Sequence, residues 1–342
     1  MLNVYRWDTE RRTGGWEPTE NLPQLPEALK NPHAVYWIDL ENATAEEEQA
    51  IFERAFPIHP LTLEDITKPR REPETLPHFP KVEEFSDYLF VVVNPLDRLP
   101  SDGPDDGHDQ DRPRVRQLSA VITHSMLITH HYVPLASIQR LRDFLAKHPE
   151  QVERGPDYLF HVVLDSMVDE YAPALDRISD RLDETEDQVF GQPTRQMLAD
   201  MLQLKRDIVA IRKTLILERE VLARLIRGEF KLIEQREMAY YRNVYDHLVR
   251  YAELIETARE MVSDLMQTHL AAVSNKLNEV MKTLTMISTI VLPMSLIAGV
   301  YGMNFKGWFP ELDWYYGYPF ALGLMALAGI SGYLFFKWRK WI

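Results

Sequence analysis

Two long uncharged runs near the C-terminus constrain this chain more than any other feature. No charged residue lies between Lys282 and Lys306, and none between Asp313 and Lys337. A helix needs roughly 20 mainly apolar residues to cross the hydrocarbon core of a bilayer. Both runs exceed that, so two membrane spans are expected. The competing account is a pair of buried core helices in a soluble protein, and uninterrupted runs of this length argue against it. Lys276 and Lys282 precede the first run, and Lys337, Arg339 and Lys340 follow the second. The connecting loop holds only Lys306, with Glu311 and Asp313. Basic residues stay on the cytoplasmic side, so both termini are expected in the cytoplasm and the loop outside. Trp308, Trp314, Tyr315, Tyr316 and Tyr318 suit the outer headgroup layer, and Trp338 and Trp341 the inner one.

The rest of the chain reads as a large acidic cytoplasmic part. Net charge is −14, which makes nucleic acid an unsuitable partner. Cysteine is absent, which excludes disulfides and thiolate metal sites. The opening residues lack the apolar core of a signal peptide. Residues 1–150 read as an α/β domain. Ala34–Leu40 is β-rich, and Thr44 with Glu47 forms a capping-box pattern for a helix. Pro60–Thr67 reads as a short helix, and Val82–Val93 holds a strand. Val115–Thr123 and Met126–Val133 read as a hairpin around His124-Ser125, and Pro134–His148 as a helix. The acidic stretch 100–111 reads as a loop; it lacks the ligand spacing and terminal Glu of a calcium loop. His130 and His131, adjacent on a strand, point to opposite faces and cannot converge on one ion. They are expected to be exposed, like His124.

From 151 to 228 the pattern predicts an acidic helical hairpin. One helix runs from Gly155-Pro156 to about Phe190 and a second from Thr194 to about Arg227, with Gly191-Gln192-Pro193 as the break. The first carries Asp165, Asp169, Glu170, Asp176, Asp180, Asp183, Glu184, Glu186 and Asp187. Two readings stand: a solvated face, or carboxylates that attract divalent cations. A stalk helix is expected over 229–282, beginning near Phe230 and running without a breaker into the first span. Val244, Leu248, Tyr251, Leu254, Ala258, Met261, Leu265 and Leu270 recur at helical spacing and suit a stalk that packs against neighbours. The remaining divisions are a first span at 283–304, an outer loop at 305–317, a second span at 318–337 and a basic tail at 338–342.

Two spans cannot enclose an aqueous path in lipid, so a pore requires several copies. Along the first span Asn278, Met281, Thr285, Ser288, Leu292, Ser295, Gly299 and Gly302 form one stripe of small, polar or flexible residues. The second span has fewer polar groups. The stripe suits pore lining. The alternative is close helix–helix packing, which small residues also favour, although four polar side chains are many for a dry seam. Pro293 removes one backbone bond in mid-span, which spanning helices tolerate.

Tyr301-Gly302-Met303-Asn304-Phe305, then Pro310-Glu311-Leu312, then a last span ending Lys337-Trp338-Arg339-Lys340-Trp341, resembles the CorA family of magnesium transporters. Leu63-Glu64-Asp65-Ile66, Lys81–Phe85, Asp87–Phe90 and Ser274–Met281 are similar to family segments too, so the resemblance covers most of the chain. Phe309 stands where the family often has Met. The resemblance implies an α+β membrane protein that is a homopentameric funnel in the cell's inner (plasma) membrane: an α/β cytoplasmic domain, a helical stalk and two C-terminal spans, the first lining the pore. It implies inward transport of hydrated Mg2+, with Co2+ as a second candidate ion, gated by internal Mg2+, with no enzyme activity and no cofactor besides transported and regulatory Mg2+. Gly302, Met303 and Asn304 would form the selectivity filter, and Glu311 would attract cations in the outer loop. Magnesium sheds water reluctantly, so a ring of neutral Asn304 amide oxygens that hydrogen-bonds the hydration shell suits it better than carboxylates. Counting back from the triplet puts the family's hydrophobic constrictions on Met281, Leu284 and Leu292, and an inner polar ring on Asn278. The family's inhibitory metal site pairs an acidic residue after an N-domain strand with an Asp on the stalk. The same count reaches Asn243, with Asp246 one turn away, and Asp97 lies near the other half. Other readings are a zinc transporter of the related branch, a membrane-tethered scaffold, and an enzyme on the α/β domain. The last has no phosphate-binding glycine loop and no nucleophile–base motif behind it.

Overall fold

The computed structural model describes residues 1–17, 31, 33–71, 77–98, 114–189, 195–303 and 314–341. The strands are β1 (Leu2–Asp8), β2 (Thr13–Trp16), β3 (Ala34–Glu41), β4 (Lys81–Glu84), β5 (Leu89–Val93), β6 (Leu96–Arg98), β7 (Arg114–Val115), β8 (Leu118–Ile122) and β9 (Met126–His131). Seven form one sheet in the order β2-β1-β3-β9-β8-β5-β4. Only the β3–β9 pair is parallel, with Ile38 opposite Ile128 and Asp39 opposite Thr129; the other pairs are antiparallel. β6 and β7 pair separately. β1 and β2 are additions to the elements read from the sequence. β1 carries the strand formers Val4, Tyr5 and Trp7 and pairs with β3, and β2 pairs in turn with β1.

β3, β5, β8 and β9 are buried along almost their whole length, so both faces of the sheet are covered. On one face Tyr36, Ile38, Leu40, Phe90, Val92, Val121 and Ile128 pack with Phe52 and Ile66. Those two come from helical segments: α1 (Ala45–Gln49), continued by a π-turn segment (Ala50–Ala55), and α2 (Pro60–Arg71). Thr44 caps α1 with the full capping box: its Oγ1 accepts the Glu47 N–H and Glu47 accepts the Thr44 N–H. The opposite face carries α3 (Ala136–Lys147) and α4 (Pro156–Asp169), with α4 in contact with β3, β8 and β9. The sheet's layer of helices therefore extends past residue 150.

The helix expected from 156 to about 190 is two helices, α4 and α5 (Tyr171–Val189), with Glu170 between them. Pro173 explains the break. It has no N–H to give the Asp169 carbonyl, and its ring disfavours helix in the residues just before it. α6 (Arg195–Ile226) follows. The next helix, α7, begins at Met238 and not near Phe230. Asp157 and Arg154 hold the intervening segment: Asp157 Oδ2 accepts the Glu234 N–H at 2.9 Å, and Arg154 pairs with buried Glu237.

α7 (Met238–Tyr301) is one unbroken helix of 64 residues, and α8 (Gly317–Trp338) is the last. Contacts divide the chain into one unit ending at Leu265 and another running on from Met266. In the first unit the buried row of α7 is Tyr241, Val244, Leu248, Tyr251, Ile255, Ala258, Val262 and Leu265. Leu254 and Met261, which the sequence reading placed on that row, are exposed, as is Leu270 further on. Both α7 and α8 carry windows long and apolar enough to cross a membrane. None of the α7 window is buried, which is not how the core helix of a soluble protein sits.

Candidate ion pathway

Within the second unit the two spans pack antiparallel, and the glycines of α8 make the contact. A Cβ on Gly332 would lie 3.0 Å from Ile290 Cγ1, and one on Gly329 3.6 Å from Met294 Sδ. Small residues at such crossings let backbones approach closely. The half-covered row of α7 is Lys282, Met286, Ile290, Met294, Ile297 and Tyr301, at steps of three and four. At the C-terminal end of α8, Lys282 Nζ lies 5.7 Å from the Trp341 ring.

The polar stripe lies elsewhere on the same helix. At about 100° per residue, Ser288 and Leu292 each stand about 160° from Ile290. Asn278, Met281, Thr285, Ser288, Leu292, Ser295, Gly299 and Gly302 are all exposed, as is Leu284 at the stripe's margin. The stripe is therefore not the seam between the two spans of one chain; that seam is apolar and glycine-lined. Thr285 Oγ1 donates to the Met281 carbonyl at 2.7 Å, so part of the stripe's polarity is spent on its own backbone. α7 passes through Pro293 without interruption.

The helix ends at Tyr301, directly before Gly302 and Met303. Gly302 N–H donates to Ala298 O at 2.9 Å, and Met303 N–H to Val300 O at 3.3 Å. A Cβ on Gly302 would sit 3.0 Å from the Ala298 carbonyl oxygen, so a side chain there crowds the last turn. Asn304 and Glu311 lie outside the described residues. At the far end of the second span Trp314, Tyr315, Tyr316 and Phe320 form an aromatic group, with Tyr315 and Tyr316 5.0 Å apart.

The residues expected at an inhibitory metal site are partly visible. Asn243 and Asp246 occupy exposed positions on α7. Asp97 falls in β6, and its side chain lies outside those described. The acidic loop 100–111 also lies outside them.

The paired histidines are a correction. His130 and His131 do point to opposite faces, but both are buried; only His124 is exposed. His130 Nε2 faces Glu48 Oε1 at 3.2 Å on the α1 side, where Tyr132 and Arg70 also bind Glu48. Burial lowers the His130 pKa, and Glu48 opposes that shift. On the other face Asp39 receives Thr129 Oγ1 at 2.6 Å, Arg142 Nη2 at 2.5 Å and His131 Nε2 at 3.2 Å. Burial pushes the Asp39 carboxyl up, but these partners outweigh it and hold it below the usual range. Asp39, Glu41 and His131 have ligand-type atoms within 4.8 Å of one another. Arg142 binds both carboxylates, so this is a buried ion-pair network with a resident cation. The sequence signal for it was available: Asp39 lies two residues from Trp37 on a strand buried on both faces, where a charge needs a partner.

A sequence model of CorA-like Mg2+ transporter proteins matches residues 32–340. The chain belongs to that family. Among CorA relatives, the cobalt/magnesium transport protein CorA of Thermotoga maritima is 35% identical over 297 residues, 84% of this chain and 78% of the relative. The putative metal ion transporter YfjQ of Bacillus subtilis is 30% identical over 342 residues, 100% of this chain and 98% of its own. The complete structure of the CorA magnesium transporter from Methanocaldococcus jannaschii superposes with a TM-score of 0.79 at 21% identity, covering 100% of this chain and 99% of that one. That likeness shows the CorA fold: an α/β domain, a long helix and two C-terminal apolar helices, in a membrane protein.

Proposed function

We propose that several copies of this chain enclose a pore that carries hydrated Mg2+, and Co2+ with it, into the cytoplasm. One observation carries the reading: the polar stripe of α7 lies away from the chain's own second span. With α8 occupying one side of α7, the stripe is free to face a central axis shared with other copies. The family resemblance supports five copies, and exposed Leu254 and Met261 offer neighbouring copies an apolar surface. The relatives named for cobalt and magnesium favour these ions over zinc.

At the outer end the stripe reaches Gly302 and Met303, so Asn304 amides would form a ring of neutral acceptors around a hydrated ion. Below it, rings of Leu292, Leu284 and Met281 would narrow and dewet the path, with Asn278 as the inner polar ring. Inward flow needs no fuel, because moving two charges through 100 mV gains about 4.6 kcal/mol, from roughly 2.3 per charge. The basic flanks orient both termini to the cytoplasm of a plasma membrane. We assign gating to internal Mg2+, with Asp246 supplying the stalk carboxylate beside Asn243 and Asp97 the partner.

The test is uptake of Mg2+, Co2+ and Zn2+ by purified protein in liposomes, for the natural chain and for Asn304→Ala. The expected result is Mg2+ and Co2+ uptake that Asn304→Ala abolishes while the oligomer persists. Zn2+ uptake alone, uptake unaffected by the substitution, or no flux from an intact oligomer would each overturn the proposal.

A further inference from the structure

In the first unit a cavity of about 690 Å³ opens between α6, the segment Pro77–Pro80 and Val115. Ligand pockets are roughly 300–1,000 Å³ and mostly apolar with a few polar groups, and this one fits both descriptions. α6 is tied to the sheet at one end. Glu218 Oε1 accepts the Asn94 N–H at 3.2 Å, and Arg224 Nη1 donates to the Val82 carbonyl at 2.7 Å. The cavity opens along the part of the helix that precedes these ties. Phe79, Val115, Leu202 and Val209 supply its apolar wall.

Its charge is opposite to that of the molecule. The chain has 52 acidic against 38 basic residues, yet the charged groups of the described lining are Lys205, Lys213 and Arg206, the last already engaged elsewhere. Leu202, Lys205, Arg206, Val209 and Lys213 fall on one exposed stripe of α6, so cations and apolar groups share a wall. Lys213 Nζ stands 4.6 Å from the Phe79 ring, where a cation and an apolar surface meet. Thr214 Oγ1 donates to Ala210 O and Asn94 Nδ2 to His78 O, while Asn94 Oδ1 is buried without a partner among the described residues. The recognition this leaves is of an anion with an apolar body.

We infer that this cavity binds an amphipathic anion, its apolar body between Phe79 and Val209 and its acidic head on Lys205 and Lys213. The source is an aromatic sulfonate- or phosphate-like metabolite, or a short acyl chain with an acidic head; the shared chemistry is the same.

The absence of cysteine gives a direct test. Val209 is half-exposed in the cavity wall. In the full chain, assembled in neutral-lipid nanodiscs, Val209→Cys is reacted with a maleimide. Free, it should label readily. With 2-naphthalenesulfonate or octyl phosphate at about ten times its dissociation constant, labelling should slow about tenfold by mass action. Inorganic phosphate at the same concentration should leave the rate unchanged. The pair Lys205→Glu and Lys213→Glu should remove the protection, judged against the same variant's own rate without probe, because the reversed charges themselves lower the thiolate fraction. Which amphiphile protects at lower concentration identifies the body. A cysteine that does not label without probe means that another copy or another part of the chain fills the cavity, and overturns the inference. So does a rate that neither amphiphile changes, protection by phosphate alone, or protection that survives the charge reversals.

Discussion

Glu218 is wholly buried, and burial pushes its carboxyl up to about 8 despite hydrogen bonds from Tyr171 and the Asn94 N–H. Its folded value is therefore above the unfolded one of 4.5. Stability from this group is complete below the unfolded value and is lost as pH rises towards the folded one. Glu218→Gln keeps the shape without the ionisation. It should raise the unfolding midpoint at pH 8, by about 2 kcal/mol of stability, and the gain should vanish near pH 4.5. A gain of equal size at both pH values would refute the assignment. His161 gives the opposite limb. Burial first, then Arg154, pushes its imidazole down to about 4. The unfolded chain takes up this proton at higher pH than the folded one, so stability falls as pH drops from about 6.5 towards 4. His161→Phe should flatten that limb in thermal melts across the range; an unchanged slope would place the loss elsewhere. Neither residue announced itself in the sequence. Glu218 sits in a run of ordinary helix formers, and its burial depends on Tyr171 and Asn94, both distant along the chain. The triplet that contains Gly302 was legible as a mark of the family, because it is specific in its context.

The spans make predictions at the scale of helices. A Cβ on Gly332 already requires Ile290 to give by a few tenths of an ångström, and a branched side chain demands more. Gly332→Val should destabilise the assembled protein by about 1–3 kcal/mol, the usual cost of overpacking. Gly323→Ala should be neutral, because nothing lies within 4 Å of a Cβ there. Detergent-resistance melts of the two variants check this, and equal behaviour would deny the seam. Leu292 stands well away from that seam and is exposed. Leu292→Ser should hydrate the constriction, raise Mg2+ influx and weaken shutdown by internal Mg2+. A stable oligomer with unchanged gating would move the barrier to Met281 or Leu284. The spans and the stripe could be read from charge and spacing alone. The stalk row could not be read fully. α7 carries two apolar rows, and a step of three from Tyr251 reaches exposed Leu254 where a step of four reaches buried Ile255. Periodicity finds both rows equally well, and only the neighbours decide which one is covered. The glycines of α8 were also silent, since their role exists only opposite Ile290 and Met294.

Across the whole molecule, topology is open to the same single-cysteine chemistry. Tyr315→Cys, at an 88% exposed position beyond the spans, should react with an impermeant maleimide on intact cells. Glu10→Cys should react only after the cells are opened. Labelling of Glu10→Cys from outside would reverse the orientation. The unbroken α7 carries one more consequence. A helix without a joint is a key whose teeth are cut at one end and turned from the other. From Met266 onward it runs without a loop, so nothing absorbs an error in the angular phase of Ser288 and Leu292 relative to His269, buried near the start of that stretch. One alanine inserted after Ala272 would turn all that follows by about 100°. Seven residues inserted there would leave it only about 20° out. Ion uptake should be lost with the single insertion and largely kept with the longer one, so that for this helix the smaller edit does the greater harm.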